Sequence, residues 1–184
     1  MRRAMRAEAL KLCTLPGIWL AGLLALAVPM LLAWLASSQT RRAVETGQLG
    51  ALYDTSTTDS GFTALTVAQV GFVVLGVLSV SSEYVRNAQD VGRGRQLTTS
   101  MVATPGGARR MVAKLTVLLG FAAVLAVAAT AGTLAVARWA LGGVEATWGN
   151  PWPRAAGAVF FLVTMTVIAA ALAELVRGGA LPLT

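Results

Sequence analysis

The chain has 184 residues, of which 56% are hydrophobic and only 12% charged; its net charge is +7 and its mean hydropathy +0.69. A water-soluble domain runs about 45–50% apolar with roughly a quarter of its residues charged, so the composition argues against one. There is no histidine and one cysteine, Cys13, which removes Ser-His and Cys-His dyads, histidine metal sites and CxxC redox pairs.

Residues 2–14 are basic, with Arg2, Arg3, Arg6 and Lys11. Met5, Ala9 and Leu12 recur at helical spacing, so 1–14 is expected to form a helix lying at the membrane interface, although Leu10 falls among the arginines. A charge-free apolar run follows at about 15–36. Its length exceeds the 7–15 residues of a signal-peptide core and no clear Ala-x-Ala site follows, so it is expected to remain as a span. Pro16 suits the first helical turn, and Pro29 is expected to kink the helix.

Residues 37–61 are rich in Ser, Thr, Gly and Asp and are expected to be a solvated loop with a short helix near Arg41–Glu45. Asp54 and Asp59 lack a third ligand, so no metal site is expected. A second apolar run spans about 62–81 and carries Gln69, Gly71 and Gly76 with Thr63, Thr66 and Ser79. Small residues permit close helix approach and hydroxyls can bond across helices. An amide in lipid needs a partner, which makes Gln69 a candidate for a pathway or a subunit interface.

The segment 82–114 holds Arg86, Arg93, Arg95, Arg109, Arg110 and Lys114 against only Glu83 and Asp90. Within it, Leu97 and Met101 would share one face of a short helix, stopped by Pro105-Gly106-Gly107. A carboxylate at Glu83 could accept backbone N–H groups or pair with Arg86. The third apolar run, about 115–136, has small residues at four-residue spacing (Ala122 and Ala126, Ala128 and Gly132). The fourth, about 155–176, has Thr164 and Thr166. Trp139, Trp148 and Trp152 flank the connection 137–154 as an interfacial aromatic belt.

Four runs of about 20 residues match a hydrocarbon core roughly 30 Å thick, and one Arg or Asp at mid-bilayer would cost about 2.5–3.5 kcal/mol. The expected fold is therefore an all-α, polytopic membrane helix bundle in a single domain, 1–184, with the lipid bilayer as partner. Eleven of the fifteen basic residues lie in the N-terminal segment, in 82–114 and after the fourth run. The positive-inside rule then places both termini and the 82–114 loop in the cytoplasm and leaves 37–61 and 137–154 outside. The charge is no nucleic-acid footprint, because a basic groove interleaved with aromatics is missing. No Gly-Lys dipeptide exists to build a phosphate-binding loop, and no carboxylate lies deep in a span. Neither enzymatic activity nor a cofactor is expected of this chain.

Several features occur in a telling order. Arg6-Ala7-Glu8-Ala9-Leu10-Lys11-Leu12 precedes the first span, and Ser82-Glu83-Tyr84 closes the second. A short polar helix ends at Ala103-Thr104-Pro105, and Arg109-Arg110-Met111-Val112-Ala113-Lys114 opens the third span. In this order and topology the chain resembles the membrane permease of a type-2 ATP-binding-cassette (ABC) exporter, in the form common in actinobacteria. The resemblance implies a coupling helix at Gln96, Leu97, Thr98, Thr99, Ser100, Met101, Val102 and Ala103 that docks on a separate cytoplasmic ABC ATPase, with Glu83 anchoring the loop. It also implies a second permease copy, as homodimer or heterodimer, in the cell membrane. Asn87–Arg95 makes the loop several residues longer than the family's pattern, and members usually have six spans where this sequence ends as a fifth would begin; the expectation is a truncated permease. The alternative is a non-transporting four-span scaffold or regulatory protein, whose basic loop binds anionic lipid or a cytosolic partner.

Overall fold

The computed structural model describes residues 5–6, 9–10, 12, 14–47, 59–89, 107–143 and 150–178. Its architecture is set by four long helices: α1 (Pro16–Glu45), α2 (Asp59–Gln89), α3 (Gly107–Leu141) and α4 (Trp152–Gly178). No strand occurs among the described residues. Each helix contains an apolar segment long enough to cross a membrane, so the chain is an all-α bundle built for lipid. In hydrocarbon a backbone must satisfy its own N–H and C=O groups, and a helix does so within one segment.

Local chemistry sets the helix ends. Pro16 occupies the first turn of α1 and Leu15 O accepts from Ile18 N at 3.1 Å, so the missing proline N–H costs nothing there. At the other end Thr46 N donates to Arg42 O and Gly47 N to Val44 O, with Gly47 at φ +70°, the left-handed residue that commonly closes a helix. Before α4, the Asn150 side-chain oxygen accepts from Trp152 N at 3.3 Å. α1 runs unbroken through the buried Pro29.

All four helices outlast the apolar runs that mark them. α1 continues without a break through Ser37–Glu45, where the sequence reads as a loop leading to a separate short helix near Arg41–Glu45, and α2 continues through residues 82–89. α3 starts at Gly107, so Arg109, Arg110 and Lys114 are helical. At 1.5 Å per residue the 35 residues of α3 reach about 52 Å, well past a hydrocarbon core of roughly 30 Å. Polar residues end the hydrophobic signal without ending the helix, because the backbone ladder needs no apolar side chain. At the N-terminus Met5, Arg6, Ala9, Leu10, Leu12 and Thr14 are helical; Met5, Ala9 and Leu12 are half-buried, whereas Arg6 and Leu10 are exposed. The rest of the expected interfacial helix over 1–14 lies outside the described residues.

Packing places α2 at the centre. It touches the other three helices, as α3 also does, and α1 and α4 each pack on both of them. Half of its apolar segment is buried, against 22–28% in the others. Phe62 of α2 lies beside Arg154 of α4, and Gly76 lies beside Thr166 and Ala169, so these two helices run parallel. α1 and α2 run antiparallel, with Gly17 against Leu78, Gly71 against Ala25 and Ser37 against Ser60.

The core is made of small residues. Alanines such as Ala21, Ala25, Ala68, Ala126 and Ala170 outnumber every other buried apolar type, while Leu20, Leu23, Val124, Phe160 and Leu175 are exposed. This inverts a soluble bundle, where large apolar side chains fill the interior. It is the pattern expected where the surrounding solvent is itself hydrocarbon and close backbone approach drives association. Ala122 and Ala126 face this core as their spacing implies, but Ala128 is exposed, and Gly132 accommodates Met30 instead.

Gly71 rests directly on the backbone of α1: a Cβ there would stand 2.6 Å from the Ala25 nitrogen and 2.7 Å from its Cα. Those are backbone atoms of α1 and can move only if the helix moves. Gly71→Ala is therefore expected to destabilise the bundle by about 1–3 kcal/mol, measured as a lower midpoint in detergent-mixture unfolding followed by circular dichroism. Gly22→Ala, which meets nothing within 4 Å, should leave the midpoint in place.

Candidate functional site

The residues singled out from sequence fall in different places. Gln96, Leu97, Thr98, Thr99, Ser100, Met101, Val102 and Ala103 lie outside the described residues. Glu83 belongs to the last turns of α2 instead of to a loop. Gln69 is half-buried on α2, and no hydrogen bond joins its amide to another described residue. Val73 follows Gln69 by one turn and opens an apolar groove between α2 and α4 that Val77, Met165, Ile168, Leu172 and Val176 also line.

Hydroxyls in the spans mostly serve their own helix. Thr66 donates to Thr63 O at 2.6 Å, Ser79 to Gly76 O at 2.7 Å, Thr164 to Phe160 O at 2.8 Å and Thr166 to Leu162 O at 3.1 Å. The carbonyl three or four residues back on the same helix is always within reach of such a hydroxyl. Ser37 of α1 and Ser60 of α2 do bond across helices, at 3.1 Å, near one end of the bundle. Thr130 and Thr133 on α3 are buried and their hydroxyls have no partner among the described residues. They interrupt the small-residue core between Ala126 and Ala129 on one side and Ala137 on the other.

A charged cleft occupies the end of the bundle where α1 and α3 stop. Its volume is about 590 Å³, and Trp34, Arg41, Arg42 and Glu45 of α1 line it with Trp139 and Gly142 of α3. Residues 34, 38, 41, 42 and 45 form one helical stripe, which exists only because α1 continues past Ser37. Arg41 Nε donates to Glu45 Oε1 at 2.8 Å. Gly142, at φ +59°, ends α3, and a Cβ there would collide with the Arg41 guanidinium. The glycine thus both turns the chain and leaves room for the arginine. Nearby, Arg154 lies 4.3 Å from the centre of the Phe62 ring, a cation–π contact tying α4 to α2. Trp139 and Trp152 are 74% and 77% exposed, and Trp34 is 42% exposed. Two of the three tryptophans of the expected belt therefore stand at one end, joined by Trp34; Trp148 lies outside the described residues.

This cleft was not evident in the sequence. Trp34 and Arg41 are seven residues apart, which marks one face only of an unbroken helix, whereas the sequence reads as a loop over 37–61 with a separate short helix near Arg41–Glu45. The glycine pair after α3, Gly142 and Gly143, was the other available signal.

Neither a family model, a characterised protein nor a solved structure matches this chain.

The unpartnered threonine hydroxyls give a direct expectation. Thr133→Val keeps shape and removes a buried hydroxyl without a partner, so stability in detergent should hold or rise by up to about 1 kcal/mol. Ser37→Ala removes an interhelical bond and should lower it by about 0.6 kcal/mol. Compared in the same unfolding series, only Ser37→Ala should lose stability.

Proposed function

We propose that the chain is the membrane-spanning permease subunit of an ABC exporter, coupling ATP hydrolysis on a separate cytoplasmic subunit to substrate export across the cell membrane. The observation that carries this reading is the four-helix membrane bundle combined with the basic segment between its second and third helices. Lengthening of α2 to Gln89 and of α3 back to Gly107 leaves 90–106 as the connection, and Gln96–Ala103 falls within it. Helical extensions on both sides give such a connection a stiff base, which suits a segment that must transmit force to or from a partner. Glu83 and Arg86, on the extension of α2, would fix how that base meets the membrane surface.

A permease of this kind works as a pair of subunits. The Gln69 amide, half-buried and without a hydrogen bond to the described residues, supports a second copy against α2, because an amide facing lipid gains most from a partner on another helix. Both termini and the connection 90–106 then face the cytoplasm, and the arginine–tryptophan cleft faces outward.

Leu97→Asp and Met101→Asp charge the apolar side of the docking segment without touching the spans. In a mild-detergent pull-down of the tagged chain, with partners identified by mass spectrometry, the parent is expected to bring down a P-loop ATPase in stoichiometric amount. Each variant should insert normally and lose it. Retention of the ATPase by both variants would refute the docking segment, and recovery of the parent without any ATPase would count against the permease itself.

A further inference from the structure

We propose that the cleft at the ends of α1 and α3 binds the headgroup of a phospholipid with net negative charge. The proposal does not depend on the permease reading; it needs only that the bundle sits in a bilayer.

Charge comes first. Within the cleft Arg41 and Arg42 face Glu45, an excess of one positive charge. Arg41 is held in place by two features, the Glu45 carboxylate at 2.8 Å and the bare backbone of Gly142. Its charge is largely answered by Glu45. Arg42 is exposed, and no ion pair joins it to another described residue. A guanidinium beside a second, pre-positioned one can take two oxygens of a phosphodiester, the geometry for which arginine is favoured over lysine. The cleft volume, about 590 Å³, lies in the range of small-ligand sites.

A soluble anion would meet the same charges, but the surface below the cleft favours a lipid. The stripe of α1 that carries Arg41 continues down the helix as Trp34, Leu31, Ala27, Leu24 and Leu20, all exposed. From Leu20 to Trp34 this apolar path is about 21 Å long at 1.5 Å per residue, more than the roughly 15 Å hydrocarbon depth of one leaflet. Trp34 and Trp139 stand at the boundary, the level at which indoles settle in bilayers. An apolar track of leaflet length that ends in a positively charged pocket matches an amphiphile with an anionic head. Glu45 restricts the excess to one charge and so disfavours a headgroup without net charge.

The two flanking indoles supply the readout. Full-length chain carrying Trp19→Phe, Trp148→Phe and Trp152→Phe retains only Trp34 and Trp139. It is reconstituted in phosphatidylcholine vesicles that contain either phosphatidylglycerol or phosphatidylcholine with brominated acyl chains. Quenching then gives the affinity of the indole surroundings for the anionic lipid relative to the zwitterionic one. One arginine near the surface contributes a factor of about five, so a ratio of about five or more is expected. Arg41→Gln with Arg42→Gln should bring it to about one, while Arg42→Lys keeps most of it and Glu45→Gln raises it. Unchanged quenching by brominated phosphatidylcholine shows that a variant is still inserted, and the singly changed Arg42→Lys and Glu45→Gln decide the matter if the double variant is not. A ratio near one in the parent, or one insensitive to these changes, overturns the proposal. Loss of the preference on adding inorganic phosphate at constant ionic strength also overturns it, assigning the cleft to a soluble anion.

Discussion

Hydrocarbon solvates a leucine as well as another leucine does, so large apolar side chains give membrane helices little reason to associate. What remains is close approach of backbones, and in this chain α2 provides it. Gly71 lets α2 rest on the backbone of α1 at Ala25, and Gly76 lets it rest on α4 at the Thr166 carbonyl. The alanines of the core, among them Ala25, Ala68, Ala126 and Ala170, extend those two contacts along the bundle. The big side chains go outward because that is where they cost nothing. α1 and α4 do not need to meet, since each is held by α2 and α3.

Helices that outlast the bilayer carry the functional consequences. Past Ser37 the apolar run of α1 is over, yet the backbone stays helical, supported by Arg41–Glu45 and by the Thr40 hydroxyl on Ala36 O at 3.1 Å. That extension brings Arg41 and Arg42 level with the end of α3 and makes a cleft out of what would have been two loops. The same effect at the other end puts Glu83, Arg109 and Arg110 on helices and narrows the α2–α3 connection to 90–106. The proposed docking segment thus stands between two stiff extensions.

The four spans were legible because an uncharged run of 20 residues has one physical use, and the all-α class followed from it. The helix ends were not legible. Hydropathy registers the stretch that sits in hydrocarbon, whereas the helix ends where its backbone is capped, as at Gly47 and Gly142. Partner choice was half legible. Ala122 and Ala126 could be placed in the core by spacing, but Ala128 follows the same rule and faces out, because spacing defines a face without saying which face is inward. Hydroxyl bonds were misjudged for a similar reason: Thr166 had a carbonyl one turn away on its own helix. The cleft depends on Trp34 and Trp139 meeting across about a hundred residues, and nothing local to either one encodes the parallel packing of α1 and α3.

The docking segment can meet a cytoplasmic ATPase only if the bundle sits with the connection 90–106 inside. Single-cysteine accessibility in intact cells tests this most directly, starting from Cys13→Ser. The account predicts that Thr46→Cys and Asn150→Cys react with an impermeant maleimide from outside, while Ser100→Cys reacts only after the membrane is opened. Labelling of Ser100→Cys in intact cells, with Thr46→Cys and Asn150→Cys protected, would invert the topology and contradict it.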